Sequence, residues 1–371
     1  KFENKFNFHK GIMAHMNREN LRRIKEKDLF DFSVEVIEFL GVKKENAKTT
    51  SEILVGADLR GISSHGVAGG TGLTELYERV SAKAISPDID TILKLKEGWA
   101  SATIDGNGGI GPVAAKQATQ LVGDLAEQYG IGRVFVNNTN HYGAACIYVE
   151  ELISRGFAAR STCTSGAWMK PFGGEKIRLG TNPIAWGVPG DKFPIVIDMA
   201  TTQRAVSPAI RASKSSQPIP EDYFVSEEGE PLSGVVPFDI LKKGSVRPLG
   251  GKQFGYKGSG LCMLVDLDNV IGGGSVKRIP TMRETPLSRV SQTFEAWRID
   301  QFYEQEESLE KLISSIRDIK KSGGREMLLP GEREAIAKLD AEKNGIPYEK
   351  SQWKTLIKLS KLTGVIVPNS C

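Results

Sequence analysis

Apolar residues recur at helical spacing from Asn17 to about Leu59. Leu21, Ile24, Leu29, Phe30, Phe32, Val34, Val36, Ile37 and Leu40 carry the first run, and Gly41 breaks it. A second helix is predicted from Ala47 to Leu59, ending at Arg60-Gly61, and Leu73, Leu76, Tyr77 and Val80 continue as a third toward Ser81. The period then changes to two. Ala100 to Asp105 alternates like a half-buried strand, and Gly106-Asn107-Gly108-Gly109-Ile110-Gly111-Pro112 turns the chain into a helix from Val113 to Tyr129. Gly130 to Val136 reads as a buried strand that runs into polar residues, followed by a helix from Ala144 to Arg155. Ile184–Pro189 and Pro194–Thr202 read as two strands paired antiparallel across Gly190-Asp191.

From Arg204 to Pro218 no period holds, and Pro218-Ile219-Pro220 and Glu227 to Pro231 read as solvent turns. Gly255 to Gly260 reads as a glycine-rich loop leading into a buried helix, Leu261 to Val270. The last third is helical: about Glu304 to Lys320 with Leu309, Leu312, Ile313 and Ile316 on one face, another helix that starts after Leu329-Pro330-Gly331 and runs through Asn344, and Trp353 to Leu362. The pattern divides the chain into a leader or extension at 1–16, a helical domain from 17–80 plus about 281–371, and a strand-containing domain at 81–280. That organisation suits 371 residues, more than one core usually spans.

Composition narrows the function. With 40% hydrophobic and 25% charged residues the chain is an ordinary globular protein, and no apolar run approaches the ~20 residues of a membrane span. The net charge of +4 is dispersed, so nucleic acid is a poor partner and a small anion a better one. Cys146, Cys163, Cys262 and Cys371 are far apart, with neither disulfide nor zinc spacing, which predicts reduced thiols, no metal and a cytoplasmic location.

Proton transfer near neutral pH calls for imidazole, whose unperturbed pKa is ~6.5. Of four histidines, His9 and His15 lie in the leader, which leaves His65 and His141. His65 stands in Ala57 to Val67, where Ser63, Ser64 and Arg60 accompany it; His141 stands in Asn140-His141-Tyr142-Gly143, where a strand meets a helix whose N-terminus can attract an anion. Each has a plainer reading, as a hydrogen-bonded structural residue or a helix cap. The glycines from Gly106 to Gly111 formally fit a dinucleotide fingerprint, but the alternating strand before them is unlike the buried first strand of a Rossmann unit, and a tight turn opening a helix explains them better. Lys257 is either a phosphate contact or a surface lysine.

Seven segments in order, Asp58 to Gly66, Asn140 to Gly143, Pro171 to Gly174, Gly180 to Pro183, Asp198 to Thr201, Tyr256 to Gly258 and Leu329 to Glu332, closely resemble the malate/L-lactate dehydrogenase family, over roughly Asn17 to Gly364. The resemblance implies an α/β fold of the α+β type. It would be a non-Rossmann dehydrogenase with a mixed-sheet cofactor-binding domain and a helical domain from both chain ends, assembled as a homodimer. It implies hydride transfer between NAD or NADP and a small 2-hydroxy or 2-oxo acid, with malate/oxaloacetate and lactate/pyruvate foremost. By the same resemblance His65 is the proton donor with Ser64 orienting it, or His141 holds that role. Thr181 is a substrate contact, and His141, Tyr142, Gly143, Ala144, Ala145, Ser165, Asp198, Met199, Ala200, Thr201, Tyr256, Lys257, Gly331 and Glu332 are cofactor contacts.

One position departs from the family pattern. Many members carry an arginine four residues after the active histidine, suited to a bidentate grip on a carboxylate, where this chain has Gly69 followed by Gly70. Arg60 or Arg79 is the available substitute. Gln203 to Pro208 departs as well, so the substrate stays open. The competing readings are a catalytically impaired relative that binds cofactor as a regulatory protein, and a phosphate-handling transferase, disfavoured because no Gly-Lys-Ser or Gly-Lys-Thr follows the glycine turn.

Overall fold

The computed structural model describes residues 21–274, 289–300, 305–317 and 328–371. The leader at 1–16, residues 281–288 and both ends of the helix expected at Glu304 to Lys320 lie outside the described residues.

Alternation builds the central sheet. In β3 (Ser101–Asp105) Ala102 and Ile104 face inward, and β4 (Ile131–Thr139) buries Val134 and Val136. The strands run parallel, joined by α4 (Gly111–Tyr129), whose stripe of Ala114, Ala115, Ala118, Val122 and Ala126 is small enough to lie close on them. Gly111 is required here, since a Cβ would lie 2.2 Å from the carbonyl oxygens of Asn140 and His141. The glycine fingerprint therefore serves as a tight turn that lets α4 begin against the strand end carrying His141.

The seven-stranded mixed sheet has the order β2-β3-β4-β11-β5-β6-β7, with β2 at Ile92–Leu95, β5 at Phe157–Cys163, β6 at Ile184–Val188, β7 at Ile195–Met199 and β11 at Val290–Arg298. Only β3 and β4 are parallel neighbours, which separates the fold from a doubly wound sheet. The β6–β7 hairpin matches the sequence expectation; β11, unforeseen, enters from beyond residue 280 and fills the centre. Its Phe294 and Ala296 join the core beneath α4 and α5 (Ala145–Ser154). On the opposite face Glu295 joins Arg133 and Arg160, and both arginines also meet Asp268 of α8 (Gly251–Ile271), which ties that helix to the sheet.

Helix α8 corrects the loop expected at Gly255 to Gly260. A Cβ at Gly255 would lie 2.7 Å from Pro248, and one at Gly258 2.3 Å from the Leu249 nitrogen, so these glycines serve close packing inside a helix. Lys257 thus sits on a helix. The stretch expected to be irregular holds α6 (Val206–Lys214), whose Pro208 falls in the first turn, where the ring is tolerated. Pro218 to Pro220 begins β8 (Pro218–Val225), which pairs with β9 (Pro231–Val235) and, only at its far end, with β10 (Ser245–Val246); the prolines occupy the stretch where one edge is unpaired. Between β9 and β10 lies α7 (Phe238–Leu241), and this small sheet has its own core of Met169, Tyr223, Phe224, Leu241 and Val246.

Another core joins the chain ends. Helices α1 (Glu26–Phe39), α2 (Lys44–Leu59) and α3 (Leu73–Ser81) pack with α10 (Glu332–Asn344) and α11 (Lys350–Thr363), and β1 (Arg22–Ile24) pairs with β12 (Ile346–Tyr348). Helix α9 is Gln305–Arg317.

Candidate active site

The loop from α2 to α3 presents Ser64 and His65, and the loop from β4 to α5 presents His141. The two imidazoles stack with centroids 5.3 Å apart and planes 22° from parallel. Ser64 Oγ lies 2.8 Å from His65 Nδ1. The Gly143 N–H donates to His141 Nδ1 at 3.2 Å, so the neutral ring carries its proton on Nε2. His141 does not cap α5, whose N-cap is Ala144 with no side-chain hydrogen bond.

Both rings are half-buried, and both are held well below the usual imidazole range. Burial pushes His65 down to about 4. Burial, aided by the neighbouring His65 and Arg79, pushes His141 down to about 3. Each ring is thus neutral at pH 7.

Beside His141 opens a pocket, with Leu54, Leu76 and Ile110 among its apolar walls and Glu75 and Arg79 as its charged groups. Arg79 Nη2 donates to Asn140 Oδ1 at 2.7 Å, and Nη1 lies 3.5 Å from Glu75. Asn140 in turn donates to the Gly108 and Gly109 carbonyls, locking the glycine turn to the start of the His141 loop. Glu75 carried no sequence assignment; its i,i+4 spacing to Arg79 was the available signal. Arg60 is placed differently. Its guanidinium grips Glu150 of α5 and donates to the Gly56 carbonyl, so its donors serve to bind α2 to α5. At Gly69 a Cβ would lie 2.5 Å from the Ser64 carbonyl oxygen, and no side chain fits while the loop keeps its shape.

The remaining expected residues form a second group, joined to the first through α5. Asp198, at the end of β7, accepts the Cys146 N–H at 2.9 Å in the first turn of α5, where a carboxylate suits the helix dipole. Thr201 donates through N and Oγ1 to the Thr181 carbonyl, and Thr181 Oγ1 lies 3.1 Å from Ser165 Oγ. The Gly258 turn of α8 abuts Thr201, placing exposed Tyr256 and Lys257 at that border, and Gly331 packs on Val196 of β7. Met199 and Ala200 lie between, while Gly143, Ala144 and Ala145 line the start of α5. Two residues face inward. The Tyr142 ring is buried against Tyr148 with its hydroxyl 3.2 Å from Ser161, and Glu332 accepts the Leu329 N–H at the start of α10. Those two side chains serve the framework.

Among the described residues no group of three or more His, Cys, Asp or Glu could hold a metal ion, and no helix is long and apolar enough to cross a membrane.

The malate/L-lactate dehydrogenase family profile matches residues 24–357. A malate dehydrogenase of Pyrococcus horikoshii is 32% identical over 96% of this chain and 99% of its own length. Its structure superposes with a TM-score of 0.82 at 29% identity, covering 94% of this chain and 97% of the other. An L-sulfolactate dehydrogenase of Methanocaldococcus jannaschii is 31% identical over 90% of this chain and 94% of its own. A ureidoglycolate dehydrogenase (NAD(+)) of Escherichia coli is 33% identical over 68% of this chain and 66% of its own.

Proposed function

The chain belongs to the malate/L-lactate dehydrogenase family, and from that premise we propose that it moves hydride between NAD or NADP and a small 2-hydroxy or 2-oxo acid. Malate/oxaloacetate and lactate/pyruvate are the foremost substrates. The observation that carries the reading is the stacked pair of neutral imidazoles, one of which, His141, lines a pocket together with the Arg79 guanidinium. The NAD(+) in one relative's name supports NAD.

When bound, the nicotinamide supplies or takes the hydride. Ser165, Asp198, Thr201, Tyr256 and Lys257 would hold the cofactor between α5 and α8, with Thr181 as a substrate contact. In oxidation, neutral His65, oriented by Ser64, takes the hydroxyl proton as hydride leaves the same carbon; in reduction, the imidazolium returns it. An anionic substrate beside the rings raises their proton affinity, which supplies the charged form that reduction requires. His141, stacked on His65 with its Nε2–H free of the Gly143 contact, shares the substrate oxygen. Arg79 takes the carboxylate grip that Gly69 cannot provide. The cleft would lie between a helical part built from both chain ends and the sheet domain, to which β11 adds Val290–Arg298 from beyond residue 280.

We also propose a homodimer, supported by the exposed apolar stripe of α8 at Met263, Leu264, Leu267 and Ile271. A cytoplasmic setting is supported by Cys146, Cys163 and Cys262, which are buried as free thiols. Assays of NADH and NADPH oxidation with a panel of 2-oxo acids test the function, and at least one pair is expected to turn over. Arg79→Met should raise KM for that acid by ~10- to 100-fold, the size expected for a lost charged hydrogen bond. An unchanged KM would remove Arg79 from the site. Gly69 is the feature that favours a non-catalytic relative, and cofactor binding without reduction of any acid would favour it.

A further inference from the structure

Seven residues before His65, at the end of α2, a carboxyl is buried in an otherwise apolar core. Asp58 is 4% exposed, and Leu54, Leu59, Val67, Ile346 and Leu356 belong to the core cluster around it. An acid in such a place needs a reason, because burying it without a cation is costly. Its partners are neutral. Asp58 Oδ2 accepts the Val67 N–H at 2.8 Å and the Tyr348 hydroxyl at 2.6 Å.

Those two contacts bracket the active loop. Val67 lies two residues after His65, and the backbone of Gly66 presses so closely on the carboxyl that a Cβ there would lie 1.8 Å from Oδ1. Ahead of His65, the Ile62 N–H donates to Ala57 O and the His65 N–H to Ile62 O. Behind it, the Leu73 N–H donates to Val67 O, which fixes the start of α3. The loop is thus laid over one carboxyl group and tied down on its far side. Tyr348 is fully buried on β12, near the far end of the chain, and its hydroxyl orients the acceptor that holds Val67.

We propose that Asp58 and Tyr348 are positioning residues that set the height of the 63–67 loop and so the placement of the His65 ring against His141. The proposal rests on the assignment of His65 to proton transfer, and it makes the late strand β12 part of the apparatus that aims that ring. Neither side chain touches substrate. Their effect is on geometry, where a shift of about 1 Å can cost ~100-fold in rate.

The test compares Tyr348→Phe, Asp58→Asn and Asp58→Leu with the parent chain by steady-state kinetics and by NMR of isotope-labelled histidine. Four histidines in the sequence keep the spectrum simple, and His65→Ala assigns the His65 signals. Tyr348→Phe should move the His65 ring signals and lower kcat ~10- to 100-fold while KM for the cofactor stays within about twofold. Asp58→Asn keeps an acceptor oxygen and should recover most of the kcat that Asp58→Leu loses. Should Asp58→Leu fail to fold, Tyr348→Phe alone decides. His65 signals unmoved by Tyr348→Phe would overturn the proposal whatever the activity. Moved signals in a chain that reduces no 2-oxo acid would uphold the positioning and reject the assigned reaction.

Discussion

His65 and His141 sit against each other in surroundings that reject charge, and this has consequences for both catalysis and stability. Because kcat/KM reports the free enzyme, 2-hydroxy acid oxidation should stay level through neutral pH and lose activity only along an acid limb near pH 4, well below the ~6.5 of free imidazole. A limb near 6.5 in the kcat/KM profile would contradict the burial of these rings. The sign for stability follows from the same shift. Between pH ~6.5 and about 4 the unfolded chain binds protons that the folded one refuses, so each buried ring adds stability above that window and loses it as pH falls through it. His141→Gln should flatten that part of a melting-temperature profile. For His65→Ala we expect a loss of ~100-fold or more in turnover with cofactor affinity nearly unchanged, measured by steady-state rates and cofactor titration. An unchanged rate would move the proton to His141. Both histidines were legible because the chain has so few, whereas their stacking was not, since it joins loops that the sequence separates by 76 residues. The role of Gly69 was half legible: the missing arginine showed, but the reason, a backbone oxygen 2.5 Å from where Cβ would stand, required the fold. Gly69→Arg should therefore yield a misfolded or inactive loop and no improved carboxylate grip, as read by melting temperature and KM.

At the scale of elements, periodicity located helices α2, α4, α5, α10 and α11 and the β6–β7 hairpin, because each buries one face in a regular pattern. It failed where close packing, not flexibility, required glycine, as in the first turns of α8. It also missed β11, whose core face carries apolar Phe294 and Ala296 while its other face carries Glu295 among arginines. A strand between two sheet neighbours under a charged helix does not announce itself by hydrophobicity. The cluster of Arg133, Arg160, Asp268 and Glu295 carries the attachment of α8, and Asp268→Ala leaves two arginines facing one acid. Its cost should be about 2 kcal/mol, below the ~3–5 kcal/mol of a fully buried pair because the arginines are partly exposed, and denaturant unfolding measures it. No change in midpoint would show that this cluster does not hold α8 in place.

Across the whole molecule, the two chain ends build one core and the middle builds the sheet, so the cleft with its two imidazoles lies where early, middle and late segments meet. The proposed dimer belongs to this scale. Leu267, 60% exposed on the apolar stripe of α8, should when changed to Glu shift the light-scattering mass toward the monomer if that stripe is the interface. The most direct test of the account is the rate of reduced-nicotinamide oxidation by the intact chain with 2-oxo acids, compared with His65→Ala under the same conditions. The account predicts turnover of at least one acid with NADH or NADPH, falling ~100-fold or more in the variant. Failure of the intact, folded chain to oxidise either cofactor with any acid of the panel would contradict it.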